Sequence, residues 1–308
     1  RCSVMHLRTP RNHPANLSPP EKIAMPATIQ TPSGVSATAA PRLPYKRIGR
    51  WQTTALLGEG RWTKVYRVTP DDRDPGLPAD YALKVLRDEF ANEHMAIGML
   101  QREAFVASQV ASPNLQTVLT LHTDEPPFYF VSPYLEGATL RSALDCSVPL
   151  NLPQILWVAR QLAEAVQCLH SAGWIHGDIK PENVIVSPAG HATLIDLGFA
   201  KRIGQVDNKN VLQGTVAYAA PESFHAQLPS GAASDIYSLG VVLFETLTGR
   251  LPFSSSNASE VAVGHLHETP PTVRSFIPDI PNRVCRLVRR LLSKSPPRRP
   301  AADALDYR

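Results

Sequence analysis

The sequence predicts an α+β protein in which a small β-rich part precedes a larger, mainly helical part. Its 308 residues suffice for about two folded units of roughly 150 residues each. Hydrophobic residues make up 43% and charged residues 19% of the chain, which is ordinary globular usage and argues against a fibrous or wholly disordered protein. Strand signals come first, and helical periodicity dominates after residue 136.

The β-rich part begins at Trp51, where short runs of β-branched and aromatic residues alternate with turn signals. A loop over 70–80 contains three prolines and four aspartates, which are sufficient to end any regular element. The predicted elements are strands over 51–57, 64–69 and 81–85, a helix over 89–110, and strands over 115–121 and 128–132.

Three helices are predicted in the larger part. The segment 153–172 places its apolar residues on one face of a helix, and 233–248 is apolar enough for a buried helix. A third helix, over 281–293, turns its apolar side chains inward and its arginines outward. We therefore predict a small lobe over 48–135 and a large lobe over 136–308, with the chain ending inside its last helix.

Residues 1–47 predict a disordered, basic, proline-rich tail. They contain eight prolines, and residues 1–50 carry eight Lys or Arg against a single acid. Such a composition cannot bury enough apolar surface to offset the loss of chain entropy. A basic tail could contact nucleic acid or an anionic membrane, but we interpret it as a solvated linker and expect no specific nucleic-acid binding.

The cysteine content and hydropathy predict a cytoplasmic chain. The four cysteines lie far apart without a CxxC pair, which argues against a disulfide framework or a cysteine zinc site. No apolar run reaches the ~18 residues that cross a bilayer, and the N-terminus lacks the apolar core of a signal peptide. We therefore expect no membrane span here. The sequence does not define an oligomeric state.

A glycine-rich turn joins the first two predicted strands. Gly58 and Gly60 belong to the segment LGEGRWTKV over 57–65. A dinucleotide fingerprint would open a helix instead of a second strand. Glycine lets backbone amides approach a phosphate closely, so the turn is a candidate phosphate cradle. A hairpin turn without a ligand accounts for the same residues.

A lysine lies inside the third predicted strand, YALKVL over 81–86. A buried ammonium group needs an anion. Glu103 follows Lys84 by nineteen residues on the predicted helix, and it supplies that anion if the helix packs on the sheet. The alternative is a surface lysine with an unrelated glutamate.

Further motifs follow in order: HGDIKPEN over 176–183, DLG over 196–198, GTVAYAAPE over 214–222, DIYSLG over 235–240 and SPPRRP over 295–300. With the glycine turn and the lysine strand, they resemble the catalytic domain of eukaryotic-type (Hanks-type) serine/threonine protein kinases. The YLEG segment over 134–137 is similar to that of bacterial members. The resemblance covers about 51–305 and implies the bilobal kinase fold, with a small β-rich N-lobe and a larger helical C-lobe. It also implies an architectural ion pair between Glu222 and Arg299.

The resemblance implies a catalytic centre on the 176–183 loop. Asp178 would accept or orient the proton of the attacking hydroxyl, and Lys180 would neutralise the transferring phosphoryl group. Asn183 and Asp196 would bind Mg²⁺, a hard cation that prefers oxygen ligands. Phosphoryl transfer needs fixed cations and metals of this kind because charge develops on the phosphate oxygens.

The resemblance also implies an ATP site. Lys84 would hold the α- and β-phosphates while it pairs with Glu103. Ser132 would stand behind the adenine ring, where a bulkier residue is common in the family. The other predicted ATP contacts are Gly58 and Gly60 at the phosphates, Val65, Ala82 and Ile185 around the adenine ring, and the Pro133 and Leu135 backbone at its edge.

The chain departs from the family pattern at three positions without losing a predicted phosphate or metal ligand. Thr63 replaces the third loop glycine, Leu197 replaces the phenylalanine of DFG, and Gly177 replaces the arginine beside the catalytic aspartate. In the family that arginine clamps a phosphate on the activation loop. Because residues 199–214 also contain no Ser, Thr or Tyr, we predict that loop phosphorylation does not switch this protein.

Two other functions compete with a protein kinase. A pseudokinase scaffold usually lacks the lysine, the catalytic aspartate or the metal aspartate, all of which are present here. A small-molecule phosphotransferase shares His-Gly-Asp but normally lacks Lys180 and the APE segment. We therefore predict a kinase that transfers the γ-phosphoryl group of ATP to Ser or Thr hydroxyls of protein substrates in signalling. In similar kinases a membrane segment often follows the catalytic domain, so a tether outside this chain is compatible with the prediction.

Overall fold

The computed structural model describes residues 47–71, 80–206, 214–225 and 231–305. The predicted tail over 1–47 therefore lies almost entirely outside the described residues. The described chain forms a β-rich N-lobe and a helical C-lobe, which confirms the predicted fold class. The strands and α-helices are β1 (Arg47–Ile48), β2 (Trp51–Glu59), β3 (Thr63–Pro70), β4 (Tyr81–Leu86), α1 (His94–Gln109), β5 (Thr120–His122), β6 (Tyr129–Pro133), β7 (Ala138–Thr139), α2 (Leu140–Asp145), α3 (Leu152–Ser171), β8 (Trp174–Ile175), β9 (Val184–Val186), β10 (Ala192–Leu194), β11 (Lys201–Arg202), α4 (Ala232–Thr248), α5 (Ala258–His267) and α6 (Asn282–Leu291).

The N-lobe is an antiparallel sheet in the order β1-β2-β3-β4-β6-β5 with α1 packed on one face. Successive side chains of a strand point to opposite faces. Strand β6 accordingly sends Tyr129 and Val131 into one apolar cluster and Phe130 into another. The second cluster contains Leu100 and Ala104 of α1. Burial of this helix face brings the intervening Glu103 against the sheet.

Two predicted N-lobe elements differ from the structure. The strand predicted over 115–121 is wrong in its first half, because only Thr120–His122 joins the sheet. Leu115 instead forms a parallel bridge with Leu194, so this segment is held by the C-lobe strand β10. The helix predicted over 89–110 begins only at His94, after a separate 3₁₀ turn over Asp88–Phe90.

The C-lobe core lies between α3, α4 and α6. The helices predicted over 153–172, 233–248 and 281–293 are confirmed to within two residues. A reciprocal capping box between Asn151 and Gln154 starts α3, since each side chain satisfies an otherwise unpaired backbone N–H. Gly249 ends α4 in the left-handed conformation with φ of 69°, which glycine adopts without a steric penalty. The C-lobe helices thereby form the base on which the 176–183 loop lies.

The remaining predictions concern membrane-spanning helices, the boundary between the lobes and the C-terminal end. Within the part of the chain that the structure describes, no helix is both long and apolar enough to span a lipid bilayer. The lobe boundary at residue 135 stays a prediction, and the last strand of the N-lobe sheet ends at Pro133. Near the C-terminus a short 3₁₀ helix forms over Ala302–Ala304, and residues 306–308 lie outside the described residues.

Candidate active site

The glycine turn connects β2 to β3 in an antiparallel hairpin, which confirms that it joins two strands. Gly58 lies opposite Val65 across this hairpin, next to a bulge in β2. The Gly60 N–H donates to the Thr63 carbonyl at 2.8 Å and closes the turn. Val65 in turn pairs with Lys84 on β4. The sheet register therefore places the predicted phosphate cradle beside the predicted phosphate-binding lysine.

Lys84 is held between two carboxylates that come from different parts of the molecule. Its Nζ donates to Glu103 Oε2 on α1 at 2.6 Å and to Asp196 Oδ1, which follows β10, at 3.1 Å. The Glu103 side chain is only 3% exposed, whereas that of Asp196 is 33% exposed. The pairing predicted for Lys84 and Glu103 is thus present, and the Lys84 ammonium also links the N-lobe to Asp196.

Burial and charge oppose each other in this triad. Burial lowers the pKa of Lys84, but the charges of Asp196 and Glu103 outweigh it, and the net pKa lies above its ordinary value. Burial also raises the pKa of Glu103. For Asp196 the adjacent ammonium outweighs burial and lowers the pKa below its usual range. Asp196, which is the more exposed of the two carboxylates and stays ionised, is therefore the oxygen ligand of the triad that a cation can reach.

Asp178 lies at the centre of a second hydrogen-bonded cluster. Its Oδ2 is 2.6 Å from the Lys180 Nζ. Its Oδ1 accepts from both the N–H and the hydroxyl of Thr215, at 2.9 and 3.0 Å. Lys180 also donates to the Thr215 hydroxyl at 2.8 Å, and the Asn183 amide donates to the Asp178 carbonyl at 2.8 Å. A carboxylate, an ammonium group and a hydroxyl are therefore fixed within direct contact of one another.

Asp235 of α4 holds the backbone of the 176–183 loop in place through hydrogen bonds. Its buried carboxylate accepts from the N–H groups of His176 and Gly177 at 2.8 and 3.0 Å, and it contacts His170 Nε2 at 2.9 Å. Burial raises the pKa of Asp235, but the His170 hydrogen bond and charge outweigh it and lower the net pKa. An ionised acceptor of this kind orients the two N–H groups just before Asp178.

The Lys84 triad and the Asp178 cluster are joined by hydrogen bonds to the backbone of Ile195. The Ile195 N–H donates to the Asn183 carbonyl at 2.9 Å, and His176 Nε2 contacts the Ile195 carbonyl at 3.1 Å. This contact places Asn183 beside the chain segment that leads directly into Asp196. Asp196 itself has a left-handed backbone with φ of 67°, which is uncommon for a residue other than glycine and often marks a functional constraint.

The donor set at this junction fits Mg²⁺. The Asn183 amide nitrogen is used by Asp178, which leaves the side-chain oxygen as the atom that could bind a cation, and Asp196 offers a carboxylate. Magnesium typically takes one or two protein ligands of this hard type, with substrate phosphates and water completing the shell.

The predicted adenine contacts lie on neighbouring strands. Ala82 pairs with Ser132 and Tyr81 pairs with Pro133 across β4 and β6. The buried Ser132 hydroxyl donates to the Ala82 carbonyl at 3.4 Å. Leu135 follows β6, and Ile185 lies on the C-lobe strand β9. That these residues enclose an adenine ring stays a prediction.

Arg141 is a central residue that sequence reasoning missed. Its guanidinium donates to Glu182 at 3.1 Å, to Glu245 at 2.8 Å and to the Tyr218 hydroxyl at 2.6 Å. These partners tie α2 to the catalytic loop, to α4 and to the 214–222 segment. They lie 41 to 104 residues away in the sequence, so no local spacing could have indicated them.

A bilobal fold that brings a lysine triad and an aspartate–lysine–threonine cluster to one junction defines the protein kinase class. Residues 51–306 match the family model described as the protein kinase domain, and the chain belongs to this family. It is 33% identical over 254 residues to the serine/threonine-protein kinase PrkC of Bacillus subtilis, covering 82% of this chain and 38% of PrkC. It is 32% identical over 247 residues to the probable serine/threonine-protein kinase PknB of Lactococcus lactis, covering 80% of this chain and 39% of PknB.

A mycobacterial relative covers more of its own length. The serine/threonine-protein kinase PknA of Mycobacterium tuberculosis is 31% identical over 278 residues, covering 86% of this chain and 63% of PknA. The predicted family is therefore confirmed. The names of these relatives agree with the serine/threonine protein kinase predicted from the sequence and do not favour a pseudokinase or a small-molecule phosphotransferase. The matched part of the chain spans less than two fifths of the length of PrkC and of PknB.

Proposed function

We propose that this chain is a catalytic domain that transfers the γ-phosphoryl group of ATP to serine or threonine hydroxyls of protein substrates. The observation that carries the proposal is the direct contact of Asp178 with both Lys180 and Thr215. This arrangement supplies a proton acceptor and a cation within one small volume. General acid–base chemistry and electrostatic stabilisation of phosphoryl transfer require that combination.

Each of these side chains has a distinct role in the proposal. Asp178 orients the attacking hydroxyl and takes its proton at a carboxylate oxygen. Lys180 neutralises negative charge on the transferring phosphoryl oxygens, where charge accumulates in the transition state. Thr215 fixes the orientation of the Asp178 carboxylate through its N–H and hydroxyl. Fixed groups of this kind stabilise the transition state without reorganising.

The nucleotide occupies the junction between the lobes in this proposal. Lys84 binds phosphate oxygens while Glu103 holds the lysine in place, and Gly58 and Gly60 allow a close backbone approach. Asn183 and Asp196 would hold Mg²⁺, which neutralises the phosphate charge and orients the phosphates. The protein kinase family generally uses ATP and a divalent metal, which supports this assignment. A cytoplasmic location and a tether outside this chain stay predictions.

Phosphorylation of a generic basic protein tests the proposal. We expect the purified chain to label Ser and Thr residues from radiolabelled ATP only when Mg²⁺ is present. Asp178→Asn should slow transfer by roughly 10²- to 10⁴-fold because it removes the proton acceptor, while nucleotide affinity stays close to that of the unmodified chain. Lys84→Met should also abolish most transfer, and Asp196→Asn should lose most of the affinity for Mg²⁺ and with it most of the activity.

The matched control for the catalytic variant is Glu164→Gln, which removes one carboxylate from an exposed ion pair on α3. We expect this variant to keep normal activity. Full activity of Asp178→Asn would overturn the proposal. Complete inactivity of the unmodified chain despite measured ATP binding would overturn it as well, and it would favour the pseudokinase alternative.

A further inference from the structure

Helix α6 and the residues that follow it concentrate positive charge on one side of the C-lobe. Residues 280–302 contain seven Lys or Arg and no Asp or Glu. The rest of the 136–308 region contains nine basic residues against fifteen acidic ones. The seventh of the basic residues, Arg299, is buried and paired with Glu222. The exposed members of the set are Arg283, Arg286, Arg289, Arg290 and Arg298.

Most of these exposed arginines line a groove between α6 and the loop that follows α5. The cavity has a volume of about 630 Å³. One wall is the 267–274 loop, and the other wall is the α6 face that carries Arg286 and Arg289. The lining also includes the buried apolar side chains of Val273, Val288 and Leu292. The charged lining residues are Arg274, Arg286, Arg289, Arg290, Lys294 and Arg298, with Glu268 as the carboxylate among them.

Lys294 connects the groove to the candidate active site. Its Nζ donates to the carbonyls of Gly264 and His265 at 2.9 and 2.7 Å and lies 4.3 Å from the Phe253 ring centroid. The His265 ring in turn contacts the Ala217 carbonyl at 3.0 Å. Ala217 belongs to the 214–222 segment beside Asp178. A short chain of direct contacts therefore links the groove to the segment that adjoins the catalytic centre.

The shape and charge of the groove favour an extended acidic peptide. Helix α6 is ten residues long, or about 15 Å, which an extended peptide of about five residues spans. Guanidinium groups bind carboxylates in a planar, bidentate geometry. The partly exposed Pro270 and the exposed Pro271 of the loop wall offer apolar surface to the alternate side chains of a peptide, which point away from the acidic ones. A nucleic-acid backbone has no apolar side chains that alternate with its charges, and a flat membrane surface does not enter a groove.

We propose that this groove docks an acidic, extended segment of the protein substrate, at a distance from the hydroxyl that is phosphorylated. The proposal rests on the kinase function in one respect only, namely that the docked protein is a substrate. Binding of an acidic peptide to the groove is independent of catalysis. Docking of this kind raises the effective concentration of the substrate hydroxyl at Asp178.

Fluorescence anisotropy measures the docking directly. The probe is a fluorescein-labelled peptide of about eight residues in which Asp or Glu alternates with Leu or Val. We expect Arg286→Glu combined with Arg289→Glu to weaken its binding at least about tenfold, because two attractive contacts become repulsive. Arg283→Glu is the matched control, since it reverses one exposed charge on the same helix outside the groove lining, and we expect less than about a twofold change.

Steady-state kinetics test whether the docked segment belongs to a substrate. Two peptides with the same serine are compared, one with the acidic segment and one with Asn and Gln in its place. We expect the acidic segment to lower KM in the unmodified chain but not in the double variant, with kcat unchanged. If the double variant melts at a lower temperature than the unmodified chain, Arg286→Gln with Arg289→Gln replaces it.

The outcomes separate the two proposals. Equal affinity for the acidic and the neutral probe would overturn docking, and so would an equal effect of Arg283→Glu. Tighter binding of duplex DNA or of anionic phospholipid vesicles, lost in the double variant, would overturn the choice of a peptide. An active enzyme with equal KM for both substrate peptides overturns substrate docking and leaves the kinase proposal intact. Probe binding without any phosphorylation overturns the kinase proposal and still supports binding of an acidic peptide to the groove.

Discussion

Two buried ion pairs, one in each lobe, differ in how completely their charges are matched. In the N-lobe, the Lys84 ammonium is shared by Glu103 and Asp196. In the C-lobe, Arg299 binds Glu222 one-to-one in a bidentate geometry, with N···O distances of 2.5 and 2.9 Å. This second pair confirms the contact predicted from the sequence.

The Arg299 pair is saturated. A guanidinium has five N–H donors, and those of Arg299 go to Glu222 and to the carbonyls of Ser293, Ala233 and Lys294. Its side chain is 0% exposed. Every charge and donor in the pair is therefore used within the fold, which is the pattern of an architectural contact.

The Lys84 triad is unsaturated by comparison. Two carboxylates face one ammonium, and the Asp196 side chain remains 33% exposed. The adjacent ammonium lowers the pKa of Asp196, so this carboxylate stays ionised, and its exposed part can take a cation. The difference between the pairs teaches that an ionised carboxylate left partly exposed distinguishes the candidate ligand site from the structural contact, in which every polar group is used within the fold.

The largest expected effect on stability comes from breaking the saturated pair. Arg299→Leu should lower the free energy of unfolding by about 3–5 kcal/mol, because it leaves the Glu222 carboxylate without its partner. Lys84→Met should lower it by less, since the raised pKa of Glu103 allows this carboxyl to take up a proton instead. Urea denaturation at pH 7 measures both variants.

Arg298→Leu is the control for the saturated pair, because Arg298 is the exposed neighbour of Arg299. We expect its free energy of unfolding to change by no more than about 0.5 kcal/mol. If Lys84→Met proved as destabilising as Arg299→Leu, the distinction between an architectural and a ligand-binding pair would be wrong.

A somewhat smaller effect is expected from pH at His265, which is separated from Arg299 of the saturated pair by the Tyr237 ring. The fully buried ring contacts the Tyr237 hydroxyl at 2.9 Å and the Ala217 carbonyl at 3.0 Å, and burial lowers its pKa from 6.5 to about 4. The unfolded chain takes up a proton near pH 6.5 and the folded chain only near pH 4. The contribution of His265 to the free energy of unfolding is therefore at its full value above pH 6.5. It decreases as the pH falls from 6.5 toward 4, by about 3 kcal/mol in total.

The free energy of unfolding measured between pH 7 and pH 4 tests this sign. His265→Gln removes the titrating group, so we expect its stability to fall less steeply with acidification than that of the unmodified chain. His225→Gln, at an exposed position, is the control and should keep the original slope. Identical slopes for all three proteins would contradict a neutral buried ring at position 265.

Local sequence signals predicted the elements that are held together by their own periodicity. The α3 helix is one example, because its apolar face, the Asn151 cap and the Pro153 near its start are all adjacent in the sequence. The glycine turn is another, since a hairpin needs only its own residues and their immediate neighbours. The order and spacing of the motifs along the chain were sufficient to select Asp178, Asn183 and Asp196 as candidate site residues.

Contacts between distant segments were not predictable in this way. The 114–116 segment looks like part of a strand, yet Asn114 and Gln116 exchange backbone hydrogen bonds with Leu194 of β10, and the Gln116 side chain accepts from the Asp196 N–H at 3.2 Å. The segment therefore pairs with the C-lobe strand β10 and not with the N-lobe sheet, and this choice of partner depends on residues far along the chain. The Arg141 network was missed for the same reason, because its partners come from three separate elements.

The smallest expected effect is that of removing any phosphate from the activation loop, which we expect to leave the activity unchanged. Gly177 has φ of 80°, and a Cβ atom there would lie 2.7 Å from the Phe199 carbonyl oxygen. Its N–H is held by Asp235. An arginine at this position would require the loop or the Phe199 backbone to move, so the usual phosphate clamp is disfavoured by shape as well as absent from the sequence. The Thr215 hydroxyl is already bound to Asp178 and Lys180, and a phosphate there would displace both contacts.

Phosphatase treatment followed by a kinase assay decides the point. Treated and mock-treated protein should phosphorylate the same substrate at equal rates, with mass spectrometry used to confirm that any phosphate has been removed. Thr215→Val serves as a second test, because it removes the hydroxyl that positions Asp178 and should slow transfer whether or not phosphatase was added. A large loss of activity that maps to a phosphate on Thr215 would contradict the prediction. Because position 177 is a glycine, a cationic side chain at another position would then have to hold that phosphate.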